Sequence, residues 1–274
     1  MSMPSFRTAV LSVLVAALAA ACATVVAPTD PAALSGGRPN YVIGYLQPAQ
    51  LPDSLAILPA PPAAGSAAFA ADEDAYRSTR KLRDTPRWAL AASDADLEFP
   101  HAAQFFSCAL DLPISAEATP NLNMLLRRVR ADASRVTDKA KDHYKRARPY
   151  LMYKEASCTP QYTYKNDSYP SGHTSIGWAW ALTLAEIAPP DRVNAVLARG
   201  YAYGQSRVIC GVHWMSDIDA GRVTGAAAVS RLHADPVYAA QLAAARKEIE
   251  KARAAGLKSP LDCAAEARAL AIKP

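Results

Sequence analysis

The chain has 274 residues, of which 51% are hydrophobic and 20% charged, and its formal net charge is +5. This length and apolar content allow a sizeable core, as one large domain or two small ones. The small net charge and the scattered lysines and arginines, which form no run of five, argue against nucleic acid as a partner. Anionic small molecules remain suitable partners if the charges converge in one cleft.

The first 23 residues have the pattern of a secretory signal peptide. Arg7 supplies a positive charge, residues 9–21 are uncharged and apolar, and small residues surround Cys22. This apolar stretch is too short to cross a membrane comfortably, and no later stretch is long enough, so we expect no membrane span. We predict export to the periplasm. Cleavage before Cys22 would instead give a lipid-anchored outer-membrane protein, and that alternative stays open.

Two proline-rich stretches follow. Residues 24–40 contain Pro, Gly, Ser and Thr without periodicity and are predicted to be a flexible linker. Residues 41–274 are predicted to form one domain. Within it, residues 41–64 carry too much proline for a regular helix and are expected to lie as an extended arm against the domain.

The rest of the chain has helical periodicity, so the predicted fold class is all-α, a single-domain helical bundle. Strand signals are limited to residues 42–43 and 162–164. The stretch 172–187 is apolar on nearly all faces, which is typical of a helix in the centre of a bundle. The predicted helices cover residues 69–82, 85–96, 122–144, 172–187, 192–211, 213–233 and 239–255.

Apart from Cys22, the chain contains four cysteines, and export to an oxidising compartment favours disulfides between them. Four cysteines allow three pairings, and the sequence does not choose among them. Their spacing contains no CxxC pair, which argues against a zinc site. These cysteines are Cys108, Cys158, Cys210 and Cys263.

The segment Pro170-Ser171-Gly172-His173 stands directly before the apolar helix. Ser171 is a suitable N-cap, and the first N–H groups of a helix form an anion site. Gly172 lets the backbone approach an anion, and His173 at the mouth of the site could pass a proton. Taken alone, the segment also fits a capped helix with an incidental histidine.

A second segment contains Arg207, His213 and Asp217. The last two are four residues apart, so on a helix they share one face. A carboxylate there can accept a hydrogen bond from Nδ1 of the imidazole, which leaves Nε2 as a basic nucleophile. In isolation, a surface His–Asp pair and an ordinary surface arginine explain the segment as well.

The third segment runs from Lys141 to Arg148-Pro149. Its neighbours Lys139, Lys145 and Arg146 make it look like a solvated basic face. The three segments together nevertheless supply cations, a helix N-terminus, two histidines and an orienting acid. These are the groups that phosphoryl transfer needs, and with three cations around the phosphoryl group no metal is required.

The combination K-x6-RP, PSGH and SR-x5-H-x3-D resembles the signature of the type 2 phosphatidic acid phosphatase superfamily, which includes vanadium haloperoxidases and bacterial acid phosphatases. The proline-rich stretch from Leu58 to Phe69, Thr85-Pro86-Arg87-Trp88 and the stretch from Gly204 to Gly211 are similar to class A bacterial non-specific acid phosphatases. The likeness covers about residues 41–247. It implies hydrolysis of many phosphate monoesters at acidic pH in the periplasm, without metal or other cofactor, and in some members phosphate transfer to alcohols.

The resemblance also implies roles for single residues. His213 matches the nucleophile that forms a phosphohistidine, Asp217 its orienting acid, and His173 the general acid. The chain departs from many relatives at Asp167, where they have glycine. The positions that match phosphate ligands are Lys141, Arg148, Ser171, Gly172 and Arg207.

The same residues also fit three alternative functions. A vanadium haloperoxidase would use the same ligands, but such enzymes are generally longer. A lipid phosphatase usually carries membrane helices, which the hydropathy disfavours. An inactive phosphate-binding protein would need no set of His173, His213 and Asp217. The sequence leaves open whether the protein forms a homo-oligomer and which substrate is the natural one.

Overall fold

The computed structural model describes residues 25–37, 40–162 and 164–273. They confirm the all-α prediction, because the strand pairing found among them is a single isolated bridge between Ser35 and Val42. The α-helices are α1 (Ser54–Ile57), α2 (Ala67–Thr79), α3 (Pro86–Ser93), α4 (Ser107–Leu110), α5 (Pro120–Arg135), α6 (Asp138–Tyr144), α7 (Pro149–Tyr153), α8 (Gly172–Ile187), α9 (Val193–Ile209), α10 (Met215–Leu232), α11 (Pro236–Ala254) and α12 (Cys263–Ala271). Short 3-10 helices cover Pro31–Leu34, Pro48–Gln50, Arg80–Leu82 and His101–Phe106.

Across the described ranges, no helix combines the length and apolar character needed to cross a membrane. The predicted signal peptide and Cys22 lie outside these ranges.

Helix α8 is the centre of the bundle and packs against α5, α9 and α10. Its bounds match the prediction, and Ser171 caps it by accepting a hydrogen bond from Thr174 N at 3.3 Å. The indole of Trp180 is fully buried, and its Nε1 donates to Leu126 O on α5 at 2.8 Å. A helix that is apolar on all faces is therefore stabilised by neighbours on all sides.

Close approach of the helices depends on glycine. A Cβ on Gly177 of α8 would lie 2.1 Å from a ring carbon of Tyr203 on α9. A Cβ on Gly225 of α10 would lie 2.5 Å from Ser175 O. Any larger residue at either position would push two helices apart, and with them the site at the start of α8.

The prediction of one helix over residues 122–144 is wrong. Helix α5 ends at Arg135, and α6 begins at Asp138 after a turn. In this turn the hydroxyl of Thr137 donates to Ser134 O at 2.7 Å, which offers the backbone a local alternative to helical bonding. The apolar periodicity continues across the turn, and for that reason the sequence did not reveal it.

The arm at residues 41–64 contains the short helix α1 and the 3-10 helix Pro48–Gln50, is otherwise irregular, and is fastened to α5 through Asp132. The Asp132 carboxylate accepts hydrogen bonds from Tyr45 N at 2.7 Å and Leu46 N at 3.3 Å. A Cβ on Gly44 would lie 2.0 Å from Asp132 Oδ1, so only glycine allows the arm this close. Burial raises the pKa of Asp132 to about 6.

The structure pairs Cys108 with Cys263 and Cys158 with Cys210. The second bond lies just before His213. The first joins α4 to the tail helix α12, which the sequence analysis did not predict.

Removing the bond between Cys108 and Cys263 is expected to destabilise the protein. Its cysteines are 155 residues apart, so the bond restricts a long loop of the unfolded chain. We expect the Cys108→Ser/Cys263→Ser variant to lose about 2–4 kcal/mol of unfolding free energy in urea denaturation. An unchanged urea midpoint would show that the packing of α12 alone holds the tail.

Candidate active site

The three sequence segments converge at the N-terminal end of α8. The distance from Arg148 Nη1 to His213 Nε2 is 3.0 Å. A Cβ on Gly172 would lie 3.7 Å from Lys141 Cε. The pKa of His213 is lowered well below its usual value, first by burial and then by the charges of Arg148, Lys141 and Arg207. Residues from three distant parts of the sequence therefore share one buried cationic pocket.

The imidazole of His213 carries its proton on Nδ1. A guanidinium only donates hydrogen bonds, so Nε2 must accept from Arg148 and is unprotonated. Nδ1 lies 3.3 Å from both Ser168 Oγ and Asp217 Oδ2. The lone pair of Nε2 thus faces the cations, and the opposite side of the ring is held by oxygen atoms.

The prediction that His213 begins a helix is wrong. Helix α10 begins at Met215, with Trp214 as its N-cap residue. The carboxylate of Asp217 accepts a hydrogen bond from Trp214 N at 2.9 Å, as acidic residues in the first turn commonly do. The four-residue spacing brings His213 to Asp217 through this capping turn, and not across one face of a helix.

Asp217 is held in turn by a buried ion-pair network. Arg146 Nη1 donates to Asp217 Oδ1 at 2.6 Å, and Arg146 Nη2 donates to Asp72 Oδ2 at 2.8 Å. Ser216 N donates to the other oxygen of Asp72 at 2.8 Å. Ser168 Oγ also donates to Asp217 Oδ2. One arginine therefore joins α2, α10 and the stretch before α7 around the residue that orients His213.

Sequence reasoning missed Arg146, Asp72 and Ser168. It treated Arg146 as part of a solvated basic face, whereas its side chain is only 9% exposed. One signal could have found it: Arg146 and Arg148 are two residues apart in a non-helical stretch, so their side chains point to the same side of the chain. Asp72 has no such signal, because its neighbours in the sequence belong to an ordinary amphipathic helix.

Arg207 offers donors that no described residue accepts. Its side chain is fully buried, and its Nη2 donates to Tyr164 Oη at 3.1 Å. Its Nε and Nη1 are buried and have no hydrogen-bond partner among the residues that the structure describes. Unpaired donors on a buried cation cost free energy, and anionic oxygens at these positions would satisfy them.

Lys141 and Arg148 both contact Asp167, the position at which the chain departs from many relatives. Lys141 Nζ donates to the backbone carbonyl of Asp167 at 2.6 Å, and Arg148 Nη2 to its carboxylate at 2.7 Å. Burial lowers the pKa of Lys141 to about 8. The amine therefore stays charged at acidic pH. Asp167 compensates part of the positive charge.

His173 lies at the start of α8, with its Nε2 3.1 Å from Ala95 O. A carbonyl only accepts, so Nε2 carries a proton and Nδ1 is the nitrogen left for another partner. The pKa of His173 is lowered well below its usual value, first by burial and then by Arg207, with a smaller effect of His213. In its protonated form, His173 could donate a proton from Nδ1.

Comparisons with known proteins place the chain in a family. A sequence model of the PAP2 superfamily matches residues 126–239, which include every candidate site residue predicted from the sequence. The chain is 46% identical over 211 residues to the non-specific acid phosphatase of Providencia stuartii, an alignment covering 76% of this chain and 85% of that protein. It is 39% identical over 209 residues to the non-specific acid phosphatase of Salmonella typhimurium (75% and 83%). It is 38% identical over 204 residues to the acid phosphatase of Zymomonas mobilis subsp. mobilis (73% and 77%).

Proposed function

The chain belongs to the non-specific acid phosphatases of the PAP2 superfamily, and from this premise we propose that it hydrolyses phosphate monoesters through a phosphohistidine on His213. The observation that carries the proposal is the unprotonated Nε2 of His213, 3.0 Å from Arg148 Nη1 in a buried cationic pocket. A protein that only bound phosphate would need cations but no oriented nucleophile.

In the first step, Nε2 of His213 attacks phosphorus and the bond from phosphorus to the ester oxygen breaks. Protonated His173 gives its proton to that oxygen, and the alcohol leaves. The carboxylate of Asp217 stabilises the positive charge that develops on the His213 ring. Lys141, Arg148 and Arg207, with the hydroxyl of Ser171 and the N–H group of Gly172, hold the remaining phosphate oxygens. The N–H group of Ser171 itself donates to Asp217 O at 2.9 Å.

In the second step, water attacks phosphorus and the bond from Nε2 to phosphorus breaks. Neutral His173 takes a proton from the water, which restores the acid for the next cycle. Inorganic phosphate then leaves. If an alcohol replaces water, the same step transfers the phosphoryl group.

Trapping the phosphoenzyme tests this mechanism. Rapid quenching of a reaction with a radiolabelled monoester is expected to leave acid-labile label on the peptide containing His213. Hydrolysis of p-nitrophenyl phosphate should be unaffected by EDTA. Label on another residue, or dependence on a metal, would overturn the mechanism. Bromide oxidation on adding vanadate would instead indicate a haloperoxidase.

The pH dependence follows from the lowered pKa of His173. A lowered pKa means that the acid form is lost already at acidic pH, so kcat/KM should fall as pH rises through this value. Bound substrate brings negative charge that opposes the effect of Arg207 and raises the pKa again. We therefore expect the descending limb of kcat at higher pH than that of kcat/KM. A flat profile would contradict the two-histidine scheme.

The Gly172→Ala variant is expected to fold normally but to bind substrate more weakly. The atoms nearest to a new Cβ, Lys141 Cε and Thr137 Oγ1, lie at 3.7 Å, which is an ordinary contact. The methyl group would, however, crowd an anion at the start of α8. We expect KM to rise about tenfold without a change in melting temperature.

Gly200→Ala is the matched control, because its Cβ would lie 2.2 Å from Ala181 Cβ in the core. It should lower the melting temperature instead. An unchanged KM in the Gly172→Ala variant would show that this residue is not a phosphate ligand.

We also propose that the protein acts in the periplasm. The N-terminal signal pattern and the two disulfides support this location, because disulfides persist in oxidising compartments. Fractionation of expressing cells tests it: phosphatase activity should be released with the periplasmic fraction.

A further inference from the structure

A second cationic cavity, of about 460 Å³, lies between the N-terminal arm and α5. We name it the arginine cleft and define it by Arg127, Arg130 and Arg135 of α5 together with Leu97 and Ile176. The mechanism above assigns no role to these five residues.

The arginine cleft contains more positive than negative charge. The residue Arg130 is 5% exposed, and its ion-pair partner Glu98 lies 3.4 Å away with a side chain that is 51% exposed. Within the described ranges, Arg127 and Arg135 form no ion pair. Arg127 Nε donates to the neutral amide of Asn123 at 3.0 Å, and Arg135 Nη1 to Leu46 O at 3.2 Å. These three cations thus outnumber two carboxylates, the half-exposed one of Glu98 and that of Asp132, whose charge interacts with Arg135.

This excess of charge favours an anionic ligand. Removing a cation from water costs free energy unless an opposite charge replaces the lost hydration. The pKa of Arg127 is lowered first by this burial and then by the neighbouring charge of Arg130. A phosphate or carboxylate in the cleft would relieve both effects and could bind two guanidinium groups at once.

The cleft is lined by residues from two segments that also hold His173. Ile176, which lines the cleft, is three residues after His173 on α8 and therefore on the same face one turn later. Leu97 is two residues after Ala95, whose carbonyl accepts from His173 Nε2. The charges of Arg207 and Arg130 both act on the hydroxyl of Tyr203. These shared segments link the cleft to the surroundings of His173.

Since His173 protonates the leaving oxygen in the proposed function, the leaving group must extend toward His173. We propose that the arginine cleft is a leaving-group subsite, in which Arg127 and Arg130 select monoesters whose leaving group carries a second anionic group, such as another phosphate or a carboxylate. This inference rests on the proposed function, but it concerns substrate choice and adds no step to the chemistry.

Substitution of Glu98 is expected to change substrate preference in the opposite direction from substitution of Arg127 or Arg130. Its carboxylate forms an ion pair with Arg130 in the free protein and would compete for Arg130 with the second anionic group of a substrate. Removing the negative charge of Glu98 should therefore favour such substrates, whereas removing the positive charge of Arg127 or Arg130 should disfavour them. A purely structural role of these residues would not produce opposite effects.

The test compares kcat/KM for two substrates, butane-1,4-diol bisphosphate and monobutyl phosphate. Their ratio cancels the common chemistry, and the statistical factor of two reactive ends cancels when the ratio of a variant is compared with that of the wild type. We expect Arg127→Gln and Arg130→Gln each to lower the bisphosphate preference about tenfold, the value of one charge-assisted hydrogen bond. Glu98→Gln should raise it severalfold, and Arg130→Lys should retain part of it.

Arg246→Gln is the control, because this arginine contacts Glu186 O on the surface of α11 and should leave the ratio unchanged. If Arg130→Gln fails to fold, the more exposed Arg127 still provides the test. Equal losses for both substrates, or an unchanged ratio in the Arg127 and Glu98 variants, would overturn the subsite. A wild-type protein that hydrolyses neither these esters nor p-nitrophenyl phosphate would instead overturn the proposed function.

Discussion

The His213→Ala variant is expected to lose at least about 10^4-fold in kcat for p-nitrophenyl phosphate, because in the proposed mechanism it removes the atom that forms the bond to phosphorus. The cations that bind phosphate remain, so inorganic phosphate should still bind and inhibit residual turnover. The variant should also yield no labelled phosphoenzyme after rapid quenching. Steady-state kinetics, phosphate binding and the quench experiment together separate loss of the nucleophile from loss of the pocket.

His233→Ala is the matched control for this variant. This histidine lies just after α10, at 3.2 Å from Glu186, with a side chain that is 47% exposed. Its removal should leave kcat within a factor of two, as is usual for a surface position. Turnover by the His213 variant above about one per cent of wild type would contradict covalent catalysis at this residue.

Arg146→Met is expected to have the second largest effect, on both stability and turnover. It leaves Asp72 and Asp217 buried without their common cation, with side chains 3% and 0% exposed. Breaking such a pair by removing one partner costs about 3–5 kcal/mol. Because Asp217 then no longer holds the His213 ring in place, kcat should fall about 10^2-fold. Urea denaturation and steady-state kinetics check the two effects.

Arg146 acts through Asp217 and touches no substrate in the proposed mechanism, so it is a positioning residue. The inhibition constant of phosphate should therefore change much less than kcat, and Arg146→Lys should restore part of kcat. Arg83→Met is the control, since Arg83 pairs with Glu155 at 2.7 Å near the surface, with side chains 40% and 38% exposed. Such a pair contributes at most about 1 kcal/mol. A rise in the phosphate constant that matched the fall in kcat would show that Arg146 shapes the anion site itself.

Local sequence patterns predicted the helices where one physical signal was unambiguous. For α8, a capping serine, an all-round apolar run and a following Pro189-Pro190 gave both ends correctly. For α5 and α6, the apolar pattern continued across the turn at Thr137, so one helix was predicted where there are two. Periodicity reports which face is buried, and it does not report whether the backbone remains helical between two buried residues.

The candidate site was predictable only in part for a similar reason. Motif spacing predicted His173 and His213, because each of them lies in a short motif whose residues are close together in the sequence. Arg146 and Asp72 are 74 residues apart in the chain, and nothing in either neighbourhood predicts their ion pair. The arginine cleft was missed as well, since Arg127 and Arg130 belong to a helix whose basic residues could equally have faced water.

The amino-acid sequence by itself indicated which residues are candidates for the chemistry and determined which helix is central, because these properties depend on a residue and its nearest neighbours in the chain. Tertiary structure alone decided that Arg146 is buried between Asp72 and Asp217. It also decided that two donors of Arg207 have no partner among the described residues. Likewise, only the folded chain joins α12 to α4 through the bond between Cys108 and Cys263. The physical reason is that burial and electrostatic coupling arise between segments distant in sequence, and both exist only once those segments have packed.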